Sequence, residues 1–190
     1  MDYSSDRGVT PELKPGSVYL VEERRPKVAF ELFDQAIISD YAGLVVTRDF
    51  PKRLLSEKEL SSSKVLWLTN LVGEGRINPT AVGILMGQLR TFIESQPKTA
   101  ILLDGFEYLA SLNTYDRMLQ FMNQLRDVVV TNDSVLLVPV DPRTLSTREL
   151  AMLERSMEPI IPSSEIESRE EPLLGEAERG VLKLLDVRPR

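Results

Sequence analysis

Five short runs of almost unbroken apolar residues, separated by stretches of helical periodicity, constrain this chain more than any other feature. They are residues 17–21 (SVYLV), 44–47 (LVVT), 65–69 (VLWLT), 99–103 (TAILL) and 134–138 (SVLLV). A strand with one wetted face alternates apolar and polar residues. These runs do not, which is the pattern of strands covered on both faces. Such strands, joined by crossovers long enough to carry a helix, pair in parallel, and right-handed crossovers lay the helices against both faces. The expectation is an α/β three-layer sandwich around a mainly parallel, five-stranded sheet.

The helical stretches carry their own punctuation. After Pro26, at a first-turn position, Val28, Ala29, Leu32, Phe33 and Ala36 recur at helical spacing. Residues 70–78 read as a loop. Pro79 then reads as the first turn of a helix over 80–95, with Val82, Leu85, Leu89, Phe92 and Ile93 as its apolar stripe. Gly83 and Gly87, four apart, suggest close packing of that helix on the sheet. A third helix spans 115–128, capped by Asn113 or Thr114, and a fourth follows Ser146 over 147–157. By organisation, residues 1–15 form a flexible N-terminal segment and 16–157 the α/β domain. Residues 158–172, rich in Pro, Ser and acids, form a linker. Residues 173–190 hold a C-terminal helix whose stripe of Leu174, Ala177, Val181 and Leu184 or Leu185 needs a partner, either this domain or another chain.

Composition removes chemistry. The 190 residues include neither cysteine nor histidine, so disulfides, thiolate-held metals, thiol nucleophiles and imidazole bases are excluded. A metal would need oxygen ligands, which favours Mg²⁺, Mn²⁺ or Ca²⁺. With 23 Lys and Arg against 29 Asp and Glu, the net charge of −6 argues against broad non-specific nucleic-acid binding, though not against a small local anion site. No run of 18 apolar residues marks a membrane span, and no basic-then-apolar leader opens the sequence, so a cytoplasmic protein is expected.

In a parallel sheet, ligands bind beyond the carboxyl ends of the strands. Those ends collect Glu22, Glu23 and Arg25 after the first run, Arg48 and Asp49 after the second, Asp104 and Glu107 after the fourth, and Asp141 after the fifth. These eight are the candidate ligand crest, and Asp104 with Asp141 the candidate Mg²⁺ ligands. No residue is assigned a catalytic role. Most of them also have a plainer reading. Glu22 and Glu23 would open a solvated helix start with Arg24, Arg25 and Lys27. Asp104 would cap the turn at Gly105 or pair with Arg48, and Asp141-Pro142 would begin a turn. Trp67 would be core. An apolar strand ending in Asp, as in residues 101–104 (ILLD), is also how phosphate-loop nucleotide hydrolases hold Mg²⁺. Their glycine-rich loop belongs directly after the first strand. Here that place reads Glu22-Glu23-Arg24-Arg25-Pro26-Lys27, without glycine and with two carboxylates that would repel a triphosphate.

The blocks YLVEE (19–23), LLDGFEYL (102–109) and LVPVDPRTL (137–145), with REL at 148–150, resemble the archaeal family of domain of unknown function 835 over about residues 15–157. That family has no established activity. Its members stand alone or are joined to sensory and response-regulator modules, which implies signalling or scaffolding. More distantly the layout resembles a P-loop-NTPase-like (RecA/KaiC-like) core that has lost its phosphate loop, or Walker A, with Asp104 at the Mg²⁺-binding aspartate position. The resulting expectation is a non-catalytic regulatory or interaction domain without a cofactor. Its partner would be another protein or a second copy, met in part through the C-terminal helix. The alternative is a Mg²⁺-dependent enzyme, or a nucleotide or anion receptor, acting through the crest acids.

Overall fold

A computed structural model of the chain describes residues 11–52 and 63–166. Seven strands form one sheet: β1 (Ser17–Glu22), β2 (Ala42–Thr47), β3 (Lys64–Leu68), β4 (Arg76–Ile77), β5 (Thr99–Asp104), β6 (Val135–Val140) and β7 (Glu158–Ile160). Their order is β4-β3-β2-β5-β6-β1-β7, and every pairing is parallel. All five expected strands are present. The two others are short edges that a hydrophobicity pattern does not reveal. β4 lies in the expected loop over 70–78, and β7 at the start of the expected linker.

Helix α1 (Val28–Ile38) packs Ala29, Phe30, Leu32, Phe33 and Ala36 on one face of the sheet. The other face carries α2 (Val82–Glu94), α3 (Phe106–Leu112), α4 (Tyr115–Thr131) and α5 (Thr147–Glu154). Alternate residues of each central strand feed the two cores, as strand geometry requires: Val18 and Leu20 join one, Tyr19 and Val21 the other. Every residue of β6 is buried, which explains why its sequence shows no alternation. At the lower end of the sheet, Thr99 Oγ1 donates to Ser134 Oγ at 2.8 Å, joining β5 to β6.

Several local expectations are corrected. Gly83 and Gly87 do not face the sheet. They are exposed, and a Cβ on either would meet nothing within 4 Å. The glycine that does permit close approach is Gly43, where a Cβ would lie 2.5 Å from Ile37 Cδ1 and 2.9 Å from Phe33 Cζ, so α1 rests directly on β2. Pro79 precedes α2 rather than opening it. The turn expected at Gly105 leads directly into α3, and Gly105 has a φ of +142° that a side chain would strain. Thr114, rather than Asn113, caps α4. The C-terminal helix expected over 173–190 and the connection over 53–62 lie outside the described residues.

Candidate functional site

The crest has a topological switch point. α1 leaves β1 toward one face, while the connections after β5 and β6 leave toward the other, and β1 and β6 are neighbours. The crevice between them is where an open sheet of this kind holds a ligand. Glu23 fills it. Its N–H donates to Val140 O at 3.0 Å, continuing the ladder one residue past β1. Its side chain then turns beneath α1. Glu23 Oε2 accepts the N–H groups of Lys27 and Val28 at 3.0 and 2.8 Å, and Oε1 accepts that of Ala29 at 2.9 Å.

A helix start leaves four backbone N–H groups without intrahelical partners and carries partial positive charge. These are the groups that bind phosphate in glycine-rich loops. Lys27, at the cap position, offers no side-chain hydrogen bond, so the helix takes its cap from four residues upstream. The expected solvated start is thus corrected. Glu22 and Glu23 are only 1% and 4% exposed, whereas Arg24, Arg25 and Lys27 face solvent. The carboxylate occupies the anion seat.

A second carboxylate closes the outside. Arg24 N–H donates to Glu165 Oε1 at 3.2 Å, and Arg24 Nε lies 3.5 Å from Glu165 Oε2. Glu165 and Ser164 line a cleft of about 400 Å³ with Glu23, Arg24, Arg25 and Lys27. Glu165 sits in the stretch expected as linker. No local pattern marks it, because the contact joins residues 141 apart in sequence.

Farther along the crest, Thr47 faces Asp104 in the β2–β5 register. Thr47 Oγ1 donates to Asp104 Oδ2 and accepts the Asp49 N–H, both at 3.0 Å. The Arg48 guanidinium lies 4.4 Å from the centre of the Tyr108 ring, a cation–π contact. Trp67 is half-buried rather than core. Its Nε1–H donates to Arg48 O at 3.0 Å, and Phe50 meets its ring edge-on at 5.2 Å.

β5 and β6 are adjacent, so Asp104, Glu107 and Asp141 do belong to one stretch of crest. Glu107 Oε1 accepts the Asp141 N–H at 2.8 Å. The Asp141 carboxylate turns away to Arg143, taking its Nε at 2.9 and 3.2 Å, its Nη2, and its backbone N–H at 3.0 Å. The two acids therefore titrate in opposite directions. Burial raises Glu107 above the usual carboxyl range despite its hydrogen bond, and the nearby Asp141 charge adds to this. The Arg143 guanidinium holds Asp141 below its usual value. Among the described residues, no group of three or more Asp or Glu is placed to hold a metal ion. Of the six crest carboxylates, Glu23 and Glu107 cap backbone, Asp104 pairs with Thr47 and Asp141 with Arg143, while Glu22 is buried at the end of β1 and Asp49 is exposed.

No helix among the described residues is long and apolar enough to cross a membrane. No curated protein matches the chain. Among solved structures, the flagellar accessory protein FlaH from Methanocaldococcus jannaschii is similar, with a TM-score of 0.54 and 17% identity over 78% of this chain and 72% of that one. The likeness shows a RecA-like fold. The family described as Protein of unknown function (DUF835) matches residues 22–157, a span that starts at the crest end of β1 and closes at the end of the α5 region. With β2 to β6, the eight crest residues and the LLDGFEYL and LVPVDPRTL blocks inside that span, the chain belongs to the DUF835 family.

Proposed function

We propose that this chain is a non-catalytic regulatory or interaction domain, built on a RecA-like scaffold whose phosphate seat is filled from within. One observation carries the reading: the buried Glu23 carboxylate accepts three backbone N–H groups at the start of α1. A triphosphate reaching those groups would have to displace the carboxylate and then lie beside it. Hydrogen bonds to a charged group contribute about 1.5–3 kcal/mol each, so losing three costs about 5 kcal/mol or more. A ligand that would bind an open seat at micromolar concentration has about 8 kcal/mol, of which this displacement leaves about 3 kcal/mol, weaker than millimolar binding. In this reading the domain uses no cofactor, and its partner is a protein or a second copy. The signalling or scaffolding role comes from the family resemblance.

The alternative, a Mg²⁺-dependent or anion-receiving crest, has in its favour that Glu107 lies beside Asp141 with its pKa raised by burial, a perturbation of the kind that gathers at functional sites. Isothermal titration of the full chain with ATP, GTP and cyclic dinucleotides, with and without Mg²⁺, separates the two. The expected result is no saturable binding below millimolar concentration. Saturable binding that Asp104→Asn abolishes would overturn the non-catalytic reading and move the function to the crest acids.

A further inference from the structure

The face of the sheet that carries α2 to α5 has a groove that the described chain does not fill. It runs between α2 and α4, with a volume of about 460 Å³. Gly83 and Gly87 leave it open on the α2 side, Met86 and Phe121 give it an apolar floor, and Arg90 and Arg117 stand at its rim. No acidic residue lines it, although the chain as a whole carries a net charge of −6. Arg90 and Arg117 form no ion pair among the described residues. An apolar trough with an unopposed basic rim fits a helix with an apolar stripe and acidic flanks.

The chain after Ile166 opens acidic: residues 167–178 carry five glutamates, Glu167, Glu170, Glu171, Glu176 and Glu178, against one arginine, Arg169, while residues 179–187 carry Arg179 and Lys183 against Asp186. Residues 173–187 place Leu174, Ala177 and Val181 at helical spacing. The position of the last described residues agrees with this. Glu165 is tied to Arg24 at the crest end of β1, and the groove includes the crest-end turns of α2 and α4. Two strand spacings separate β1 from β5, about 10 Å, and a helical layer adds about 10 Å more. Residues 167–172 can span about 20 Å.

We propose that the α2–α4 groove is the docking site for residues 173–187 of the same chain, seated as a helix with the Leu174, Ala177 and Val181 stripe on the groove floor and the glutamates toward Arg90 and Arg117. The surface is separate from the crest, so the proposal stands or falls independently of nucleotide binding.

The chain has no cysteine, so an engineered pair supplies its only thiols. The test is oxidation of the dilute full chain carrying Gln120→Cys and Ala177→Cys, with Gln124→Cys and Ala177→Cys as a second rim position. The control pairs Ala177→Cys with Glu31→Cys, on α1 across the sheet. An intrachain disulfide forming at least tenfold faster in a groove pair than in the control is the expected result. Adding Arg90→Glu and Arg117→Glu should return the rate to that of the control. Equal rates in all three pairs would overturn the proposal. So would linkage found only between chains, which would give the groove to a second copy, or a fast intrachain link that ignores the charge reversal.

Discussion

Glu23 caps α1 with its carboxylate and, in the proposed reading, thereby removes an anion site. Both follow from the chain turning under the helix immediately after β1, where Glu23 N–H is held by Val140 O. Truncating the side chain lets water from the adjoining cleft repair part of the loss at the three N–H groups, so Glu23→Ala should destabilise the domain by about 2–4 kcal/mol, less than the full loss of three charged hydrogen bonds. In a domain of this size that is a fall of about 5–15 °C in the melting temperature, readable by circular dichroism. Glu23→Gln should cost less, because its amide oxygen still accepts while its NH₂ faces other donors. A Glu23→Ala melting point equal to wild type would mean that the cap contributes nothing. Glu107 makes a prediction of opposite kind. Its folded-state pKa is raised, so between its ordinary value near 4.5 and that raised value the folded protein binds more protons than the unfolded chain. Stability from this group is present at low pH and is lost as pH rises through that window. Glu107→Gln can still accept the Asp141 N–H, without the charge. Urea unfolding should therefore show the variant gaining on wild type from about pH 4.5 towards neutrality. A constant difference across that range would remove Glu107 as the source.

At the scale of elements, legibility followed burial. The central strands were readable because their apolar runs are the direct imprint of cover on both faces, and α1 and α4 because their stripes face the sheet. Arg76–Ile77 and Glu158–Ile160 were not readable, since strands of two and three residues carry no period and owe their pairing to the neighbouring strand. The crest is legible residue by residue but not in its arrangement. All eight candidates lie at or just beyond strand ends, yet whether Glu23 faces water or α1 depends on a backbone turn that spacing does not encode. Glu165 was missed because nothing local points to Arg24. Glycines misled in the same way. Gly83 and Gly87 looked like packing glycines, whereas Gly43 is the one that packs, and its neighbours Ile37 and Phe33 appear only once α1 is seated. Gly43→Ala should therefore overpack the α1–β2 contact and cost about 1–3 kcal/mol. Local signals did succeed where the chemistry is local. Ser146 accepts the Glu149 N–H, and Glu149 Oε2 accepts the Ser146 N–H at 2.8 Å, a reciprocal cap at the start of α5. Ser146→Ala should cost about 1 kcal/mol in denaturant unfolding.

Across the whole molecule, stability should be graded outward from β6. That strand is paired on both sides, with β5 and β1, and every one of its residues is buried. The sheet thins at both margins, to the two residues of β4 and the three of β7. Amides of Leu136, Leu137 and Val138 should exchange only when the domain unfolds globally, at about 5–15 kcal/mol. Those of β4 and β7 should open locally, about a thousandfold or more faster by the same scale of opening energies. The margin at β7 matters more than its length suggests, because it leads directly into Ser164 and Glu165 over the Arg24 cleft. If β7 opens locally, Glu165 leaves Arg24 without disturbing the Glu23 cap, and the outer carboxylate becomes exchangeable while the inner one stays fixed. Native-state hydrogen exchange with Glu165→Gln tests this nesting. Exchange in β7 should quicken while β6 and the first turn of α1 remain unchanged. Faster exchange at Val28 and Ala29 in that variant would show instead that the two carboxylates act as one unit, and that the phosphate seat is closed only when the C-terminal margin is in place.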